Sequence, residues 1–303
     1  MELGVKVGSL FLKNPVITAS GTFGYGVEFK DFGELEKLGA IVVKGLSLLP
    51  REGNKGVRIT ETPCGMLNSI GLENIGSQAF IEQILPLLPW EKTPVIVNLY
   101  GETFEEFGEL ASIFAREEAI AALEINISCP NVKQGGLLFG QDVGAACRVC
   151  EEVKRSAGDK MVILKLTPAS PDIRALARAL QDAGADALSL INTIPAMAVD
   201  IYTRRPRLSN IIGGLSGPAI KPIAQKLVYD VVSCVDIPVI GIGGIMSPED
   251  VFEYILIGAH AVEVGSANLI RPTSAFDIVE GLEEVALKLG IDSIEEYRGT
   301  LST

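Results

Sequence analysis

The sequence has 303 residues, of which 48% are hydrophobic and 21% are charged, and its formal net charge at pH 7 is -12. This length suits one large barrel or two average domains, and the composition is that of a soluble globular protein. The net negative charge argues against binding to nucleic acid or to an anionic membrane, because both need basic patches. No apolar run predicts a membrane-spanning helix, and the N-terminus lacks a targeting signal.

The opening segment, residues 4–15, alternates with period two around Gly8 and predicts a β-hairpin that plugs or flanks the core. Eight apolar runs follow, separated by stretches with helical spacing and closing glycines. The pattern predicts an α/β fold, a single (β/α)8 TIM barrel over residues 1–303. The runs are Val16–Ala19, Ile41–Val43, Val95–Leu99, Leu123–Ile127, Val162–Leu166, Ala187–Ile191, Val239–Ile242 and Ala261–Val264.

Two connections, Leu46–Pro94 and Asn192–Lys221, are too long for simple strand-to-helix loops. Both follow predicted strands, so we expect them to be long insertions at the C-terminal face of the barrel. Long loops at that face commonly cover a ligand.

The five cysteines are odd in number and scattered, which favours a reducing cytoplasm over a disulfide framework. Cys147 and Cys150 have C-x-x-C spacing within a helical stretch, and we interpret them as packing residues rather than as a metal or redox pair. The single histidine, His260, lies in an apolar run and is interpreted as structural, so no metal site is expected.

The stretch E-I-N-I-S-C-P-N, residues 124–131, alternates as a strand that we expect to end at Cys129, because Pro130 cannot continue a central ladder. A thiol, a hydroxyl and two amides at a strand end are typical of an active site. The alternative is a buried cysteine before a proline turn.

Polar residues recur where the predicted strands end. Lys44 and Lys165 both follow apolar strand residues, which suggests a shared anionic or heteroaromatic ligand. The alternative is neutralisation by core carboxylates, with Glu124 as an available partner. Glycine clusters at residues 241–245 and 264–267 follow the seventh and eighth strands, where barrels bind phosphate.

The assembled strand ends closely resemble the dihydroorotate dehydrogenase family, FMN enzymes of pyrimidine biosynthesis. The resemblance runs nearly end to end, and it implies the same barrel fold. The matching segments are residues 14–26, 42–45, 68–74, 126–131, 165–168, 191–193, 213–218, 241–245 and 264–267.

This resemblance implies that Cys129 is the catalytic base that takes the C5 proton of dihydroorotate while C6 passes hydride to the flavin. It implies that Lys44 opposes the substrate carboxylate and that amides read the pyrimidine ring. The implied substrate-binding residues are Lys44, Asn68, Ile70, Gly71, Leu72, Asn126, Asn131, Asn192 and Thr193.

For FMN, the resemblance implies that Lys165 stabilises negative charge at the flavin and that glycine loops hold the phosphate. The implied FMN-binding residues are Ala19, Ser20, Lys44, Gly45, Asn98, Asn126, Lys165, Ile191, Gly217, Gly243, Gly244, Gly265 and Ser266.

Cysteine at position 129 resembles the soluble class 1 group of the family, and the segments 131–140 and 68–74 resemble its NAD-linked branch. That branch implies a homodimer core joined to an electron-transfer subunit that carries FAD and a 2Fe-2S cluster, a heterotetramer in the cytoplasm. The alternatives are a fumarate-reducing homodimer, a barrel like that of dihydropyrimidine dehydrogenase, or a redox-inactive phosphate-binding barrel.

Overall fold

Eight parallel strands close into a barrel in the order β10-β15-β16-β3-β4-β7-β8-β9 in the computed structural model, which describes residues 1–128 and 139–302. Their side chains are buried on both faces, as expected when helices surround a parallel sheet. In the described residues the strands are β1 (Val5–Val7), β2 (Leu10–Leu12), β3 (Val16–Thr18), β4 (Ala40–Val42), β5 (Ile59–Thr62), β6 (Gly65–Asn68), β7 (Val95–Leu99), β8 (Ile120–Asn126), β9 (Met161–Lys165), β10 (Ala187–Leu190), β11 (Ile194–Met197), β12 (Val199–Asp200), β13 (Arg205–Pro206), β14 (Ile212–Ser216), β15 (Val239–Ile242) and β16 (Ala261–Val264).

Helices fill the connections between the barrel strands, and several begin at side-chain caps. Thr103, Asp142 and Asp172 accept hydrogen bonds from backbone N–H groups of the first turns, and Ser247 forms a capping box with Asp250. In the described residues the α-helices are α1 (Ser77–Ala79), α2 (Phe104–Ala115), α3 (Val143–Ser156), α4 (Ile173–Asp182), α5 (Lys221–Val232), α6 (Pro248–Leu256), α7 (Ala267–Ile270), α8 (Ser274–Leu289) and α9 (Ile294–Tyr297).

All eight apolar runs form barrel strands, so the predicted fold is confirmed. The predicted end of β8 at Cys129 is wrong, because the strand stops at Asn126. The Asn126 side chain accepts a hydrogen bond from the Ser128 backbone N–H at 3.1 Å, which turns the chain before the proline.

The N-terminal hairpin forms as predicted, with β1 antiparallel to β2. Its turn packs closely on the start of β9, because a Cβ on Gly8 would lie 2.9 Å from Met161 Cε. The hairpin therefore flanks the N-terminal end of the barrel, opposite the strand ends that carry the polar residues.

The C-x-x-C pair lies in α3 and packs against α4, as predicted. Cys150 is buried, its Sγ lies 3.6 Å from the Ala183 carbonyl oxygen, and burial raises the pKa of its thiol to about 12. Such a thiol is protonated and inert at neutral pH.

The two long connections lie at the C-terminal end of the barrel, and they form one structure. They pair into a four-stranded antiparallel sheet in the order β11-β14-β6-β5. The central pairing sets Gly214 on β14 opposite Asn68 on β6. This joining of segments far apart in the chain was not predicted from the sequence. In the described part of the chain, no helix is both long and apolar enough to cross a membrane.

Candidate active site

The polar residues that follow the barrel strands lie around one end of the barrel, because all eight strands run in the same direction. They form three groups, namely a buried charged cluster, a set of amides beneath the insertion sheet, and a set of glycine loops. Each group takes residues from several strands, so the closed barrel itself brings them together.

The charged cluster contains Lys165 with two carboxylates, Glu124 and Glu263. Lys165 Nζ lies 2.8 Å from Glu263 Oε2 and 3.3 Å from each oxygen of Glu124. The side-chain exposures are 6% for Lys165, 0% for Glu124 and 1% for Glu263, so the cluster is sealed from water. Neutralisation by carboxylates, the alternative left open for the lysines, is therefore found at Lys165, with Glu263 as a partner that the sequence did not reveal.

The ionisation of the cluster follows from its contacts. Burial opposes ionisation of Glu124, but the Lys165 charge and the hydrogen bonds from its neighbours hold its pKa below the usual value. Burial also opposes a charge on Lys165, yet Glu124 and Glu263 together raise its pKa. Burial and the Glu124 charge raise the pKa of Glu263 well above its usual range. Lys165 is therefore cationic and Glu124 anionic at neutral pH.

Asn98 connects this cluster to Gly45, which follows β4. Its Nδ2 donates to Glu124 Oε2 at 2.6 Å, while its Oδ1 is buried and has no hydrogen-bond partner among the described residues. A Cβ on Gly45 would lie 2.8 Å from that oxygen and 4.0 Å from Ser20 Oγ. The absence of a side chain at residue 45 therefore avoids a clash with the Asn98 oxygen, a buried acceptor for which no described residue supplies a donor.

The amides come together where the insertion sheet meets the barrel. Asn192 Nδ2 donates to Asn126 Oδ1 at 3.4 Å. Asn68 Nδ2 lies 3.5 Å from the Gly214 carbonyl oxygen, and a Cβ on Gly214 would overlap the Thr193 hydroxyl. The β6–β14 pairing thus brings Asn68 close to Asn192 and Thr193, which follow β10, although Asn68 is far from them in the sequence.

Lys44 differs from Lys165, since it is half-buried and forms no ion pair with any described residue. Its charge helps to lower the pKa of Glu73, after the larger effect of Arg58. Lys44 can therefore meet an anionic ligand.

The loop with Ile70, Gly71 and Leu72 is held by Asn74, a buried residue that sequence reasoning did not single out. Asn74 Nδ2 donates to the Leu72 carbonyl oxygen and to Ser47 Oγ, each at 2.8 Å. Its Oδ1 accepts from the Gly76 N–H at 2.9 Å. Asn74 thereby fixes this loop to the segment that follows β4. Its position at the end of the N-S-I-G-L-E-N motif was the available signal.

The glycine loops meet next to the end of β16. A Cβ on Gly244 would lie 3.0 Å from the Gly217 carbonyl oxygen, and one on Gly217 would lie 3.7 Å from Ser266 Oγ. A Cβ on Gly265 would lie 3.6 Å from Ala19 Cβ. The glycine loops therefore approach one another closely at this end of the barrel, an arrangement of backbone groups that is typical of phosphate sites.

Tyr254 supports the glycine loops from α6 and was also missed by sequence reasoning. Its hydroxyl donates to the Gly243 carbonyl oxygen at 2.7 Å, and its ring is fully buried. Burial raises the pKa of the hydroxyl, so it stays a donor. It lies in an apolar helix pattern, which gave no sign of a polar role.

Ile191 directly follows β10, and its N–H donates to the Ile242 carbonyl oxygen at 3.0 Å. Two predicted residues, Cys129 and Asn131, lie outside the described residues. Ser128, which precedes Cys129, is fixed at the barrel end, with its Oγ donating to the Lys165 carbonyl oxygen at 3.2 Å. Among residues 1–128 and 139–302, no three or more His, Cys, Asp or Glu side chains are grouped to hold a metal ion.

Known proteins match this chain over nearly its full length. The sequence profile described as dihydroorotate dehydrogenase matches residues 2–286. A protein of Maridesulfovibrio salexigens is 55% identical over 99% of this chain and 99% of its own length. A protein of Solidesulfovibrio magneticus is 56% identical over 99% of this chain and 98% of its own length. Both are named dihydroorotate dehydrogenase B (NAD(+)), catalytic subunit.

A crystal structure of DHODH from Eimeria tenella, in complex with ferulenol, has the same fold. It has a TM-score of 0.83 and 21% sequence identity, and the match covers 99% of this chain and 88% of that one. The profile match and the full-length relatives carry the assignment of family, since so low an identity shows only the fold. The chain therefore belongs to the dihydroorotate dehydrogenase family, as its strand-end motifs predicted.

Proposed function

We propose that this chain oxidises dihydroorotate to orotate in pyrimidine biosynthesis, with FMN as its cofactor. The observation that carries the proposal is the buried Oδ1 of Asn98, which has no hydrogen-bond partner within residues 1–128 and 139–302 and lies beside Gly45 at the end of the barrel. A buried acceptor without a donor is costly, so a bound group with an N–H or O–H satisfies it. The names of the full-length relatives support the same reaction.

The residues present fit FMN. Ser20 and Asn98 offer polar atoms beside Gly45 at the barrel end, and Lys165 supplies a buried positive charge that contacts Glu124, the acceptor of Asn98. Gly217, Gly243, Gly244, Gly265 and Ser266 would hold the phosphate. Ala19, Lys44, Asn126 and Ile191 complete the proposed FMN site. When bound, FMN supplies the hydride acceptor for the reaction.

The substrate would lie beneath the insertion sheet. Lys44 faces the carboxylate of dihydroorotate, because it lies just after barrel strand β4, is half-buried and forms no ion pair with a described acidic residue. Asn68, Asn126, Asn131, Asn192 and Thr193 hydrogen-bond the pyrimidine ring, and backbone groups of Ile70, Gly71 and Leu72 close one side. The sheet also excludes water from the reacting atoms.

Cys129 takes the proton from C5 of dihydroorotate as the catalytic base. Ser128, which directly precedes the cysteine in the sequence, supports this role, because its side chain is hydrogen-bonded to the backbone of β9. A cysteine can act as a base only where its thiolate is accessible and stabilised by polar or cationic groups.

We further propose that electrons leave through a separate electron-transfer subunit with FAD and a 2Fe-2S cluster, and that NAD+ is the final acceptor. The assembly would be a heterotetramer around a homodimer of this chain, in the cytoplasm. The printed names of the relatives, catalytic subunits of an NAD(+) enzyme, support this branch.

Substrate choice tests the proposal. The purified chain is incubated with FMN and an artificial electron acceptor, and turnover of dihydroorotate is compared with that of dihydrouracil, which lacks the carboxylate. We expect activity with dihydroorotate only, and Lys44→Ala should raise its KM by roughly 10-fold or more, since a charge-assisted hydrogen bond contributes about 1.5–3 kcal/mol. Equal turnover of dihydrouracil, or a protein that binds no flavin, would contradict the proposal.

A further inference from the structure

The charged cluster inside the barrel contains one more acid than base. Glu124, Glu263 and Lys165 come from β8, β16 and β9, and none is more than 6% exposed. If both carboxyl groups were ionised, the cluster would bury a net negative charge, which is strongly unfavourable in a water-free interior. Two carboxylates that share one site also disfavour each other's ionisation. One of the two acids is therefore expected to keep its proton.

The hydrogen-bond donors decide which acid is protonated. The distance to the lysine favours ionisation of Glu263, because Lys165 Nζ lies 2.8 Å from Glu263 and 3.3 Å from Glu124. Glu124, however, also accepts from Ser189 Oγ at 2.7 Å and from Asn98 Nδ2 at 2.6 Å. Donors to a carboxylate stabilise its charge, and Glu124 has three of them. Among the described donors, Glu263 accepts from the lysine alone, and it also lies in hydrogen-bond contact with Glu124, to which a protonated Glu263 can donate. The proton therefore belongs on Glu263.

The surroundings of Glu263 add no further charge. Glu124 and Lys165 are the titratable groups that face it from the packed strands in the described part of the chain. Its ladder partners, Ile242 on β15 and Ile17 on β3, are apolar. Burial and the charge of Glu124 raise the pKa of Glu263, which agrees with its having fewer hydrogen-bond donors than Glu124.

We propose that Glu263 is a positioning residue that stays protonated at neutral pH and holds the Lys165 ammonium group in place without cancelling its charge. Glu124 is then the single counterion of Lys165, and the cluster is neutral as a whole. The Lys165 charge remains available to the flavin, a consequence that rests on the proposed function. Glu124 thus balances the charge of Lys165, and Glu263 fixes the position of the lysine side chain.

The proton can be tested without the cofactor. Infrared spectra of the protein with and without ¹³C-labelled glutamate identify the carbonyl stretch of a protonated glutamic acid. We expect this band near pH 7 in the wild type, with or without FMN, and its loss in Glu263→Gln. Absence of the band in the wild type, or its persistence unchanged in Glu263→Gln, would overturn the proposal.

The midpoint potential of bound FMN tests the effect on Lys165. Glu263→Gln replaces a neutral acid by a neutral amide. We therefore expect the equilibrium constant for two-electron reduction of FMN to stay within about threefold of the wild-type value. Glu124→Gln lets Glu263 lose its proton and replace Glu124 as counterion, so only the double variant Glu124→Gln/Glu263→Gln, which leaves Lys165 without a counterion, should raise that equilibrium constant at least 10-fold, equivalent to about 30 mV. An increase of that size in Glu263→Gln alone would show that Glu263 is ionised in the wild type.

A third variant separates positioning from charge. Glu263→Ala removes the nearer of the two acceptors of Lys165 without changing the net charge, so the lysine should be drawn toward Glu124 and the potential should fall. The same potential in Glu263→Ala and Glu263→Gln would rule out positioning. If the alanine variant does not fold, the two glutamine variants still decide the charge. If the wild type binds no FMN, the proposed function fails, while the infrared band still tests the proton.

Discussion

Lys44 and Lys165 occupy equivalent places after barrel strands, yet their surroundings give them different chemistry. Lys165 is sealed between two carboxyl groups, whereas Lys44 is half-buried and unpaired by any described acidic group. A buried lysine with its counterion beside it keeps both its charge and its position. It therefore suits a permanently bound partner such as a cofactor. A half-buried lysine without an ion pair suits a substrate that must enter and leave.

Removal of the Lys165 charge should destabilise the fold as well as the reaction. In Lys165→Ala, two buried carboxyl groups lose their cation, so the free energy of unfolding should fall by about 3–5 kcal/mol. The loss should shrink as the pH falls, because protonation removes the uncompensated charge. Urea unfolding at several pH values measures both effects.

The matched control is Lys154→Ala, which breaks the partly exposed pair of Lys154 with Asp186 at 2.8 Å. An exposed pair contributes about 0–1 kcal/mol, so this variant should remain near wild-type stability. Similar losses in the two lysine variants would contradict the account of the buried cluster.

Cys129→Ala should lower turnover by about 10²–10⁴-fold, because it removes the proposed general base. FMN content, read from the visible spectrum, should not change. Cys147→Ala, on the outer helix α3, is the control and should retain activity. Near-normal turnover of Cys129→Ala would remove this residue from its role.

At the scale of elements, the glycine loops matter because their backbone surface must stay uncovered. Gly244 has a φ of +68° and a crowded Cβ position, 2.7 Å from Lys221 Cβ. Gly290, at the C-terminal end of α8, has a φ of +67° and no atom within 4 Å of its Cβ position. The two glycines therefore share backbone conformation and differ in surroundings.

Alanine at Gly290 should cost about 1–2 kcal/mol of stability, because the left-handed conformation is unfavourable with a Cβ. Alanine at Gly244 should cost more, because its Cβ would also lie 2.7 Å from Lys221 Cβ. Only Gly244→Ala should also weaken FMN binding, since its methyl group would displace the loop. Thermal unfolding and the Kd for FMN, measured on both variants, separate the effects. Equal FMN affinity in the two variants would argue against a phosphate site at these loops.

The sequence predicted the strands and the residues at their ends, because hydrophobic period and turn residues are local signals. It did not predict that Asn68 and Gly214 pair, since their separation of 146 residues leaves no local signal. It also did not reveal Glu263, which appears as one charged residue within a short apolar run. Only closure of the barrel sets it beside Lys165. The hydrogen bond of Tyr254 to Gly243 was likewise not predictable, because only the folded structure brings the two residues together.

At the scale of the whole molecule, the two ends of the barrel serve different purposes. The C-terminal end carries the candidate active site, while the N-terminal end is closed by the hairpin and α9. His260 lies at the closed end, with Nε2 2.9 Å from Arg298 Nη1. Arg298 pairs with Glu295 at 2.6 Å, and Glu295 accepts the Lys6 backbone N–H at 3.0 Å. The structural interpretation of the histidine fits this network.

This network predicts a loss of stability in acid. Burial and the Arg298 charge lower the pKa of His260 from 6.5 to about 4. The unfolded chain therefore binds a proton as the pH falls below 6.5, whereas the folded chain does so only near pH 4. His260 should thus reduce the free energy of unfolding by up to about 3 kcal/mol across this interval and have no effect above it.

His260→Gln should lose less stability than the wild type between these pH values, as measured by urea unfolding at each pH. Parallel stability curves for the two proteins would show that His260 does not titrate in this way. The candidate active site lies at the opposite end, so FMN content at neutral pH should be unchanged in the variant.

The central claim is that this chain transfers hydride from dihydroorotate to its own FMN, and anaerobic absorbance measures it directly. Mixing the purified yellow protein with dihydroorotate should bleach the flavin. Neither fumarate nor NAD+ should restore the colour in the absence of the electron-transfer subunit. Recovery with fumarate would place the chain in the fumarate-reducing branch, and a flavin that stays oxidised in excess dihydroorotate would contradict the proposed reaction itself.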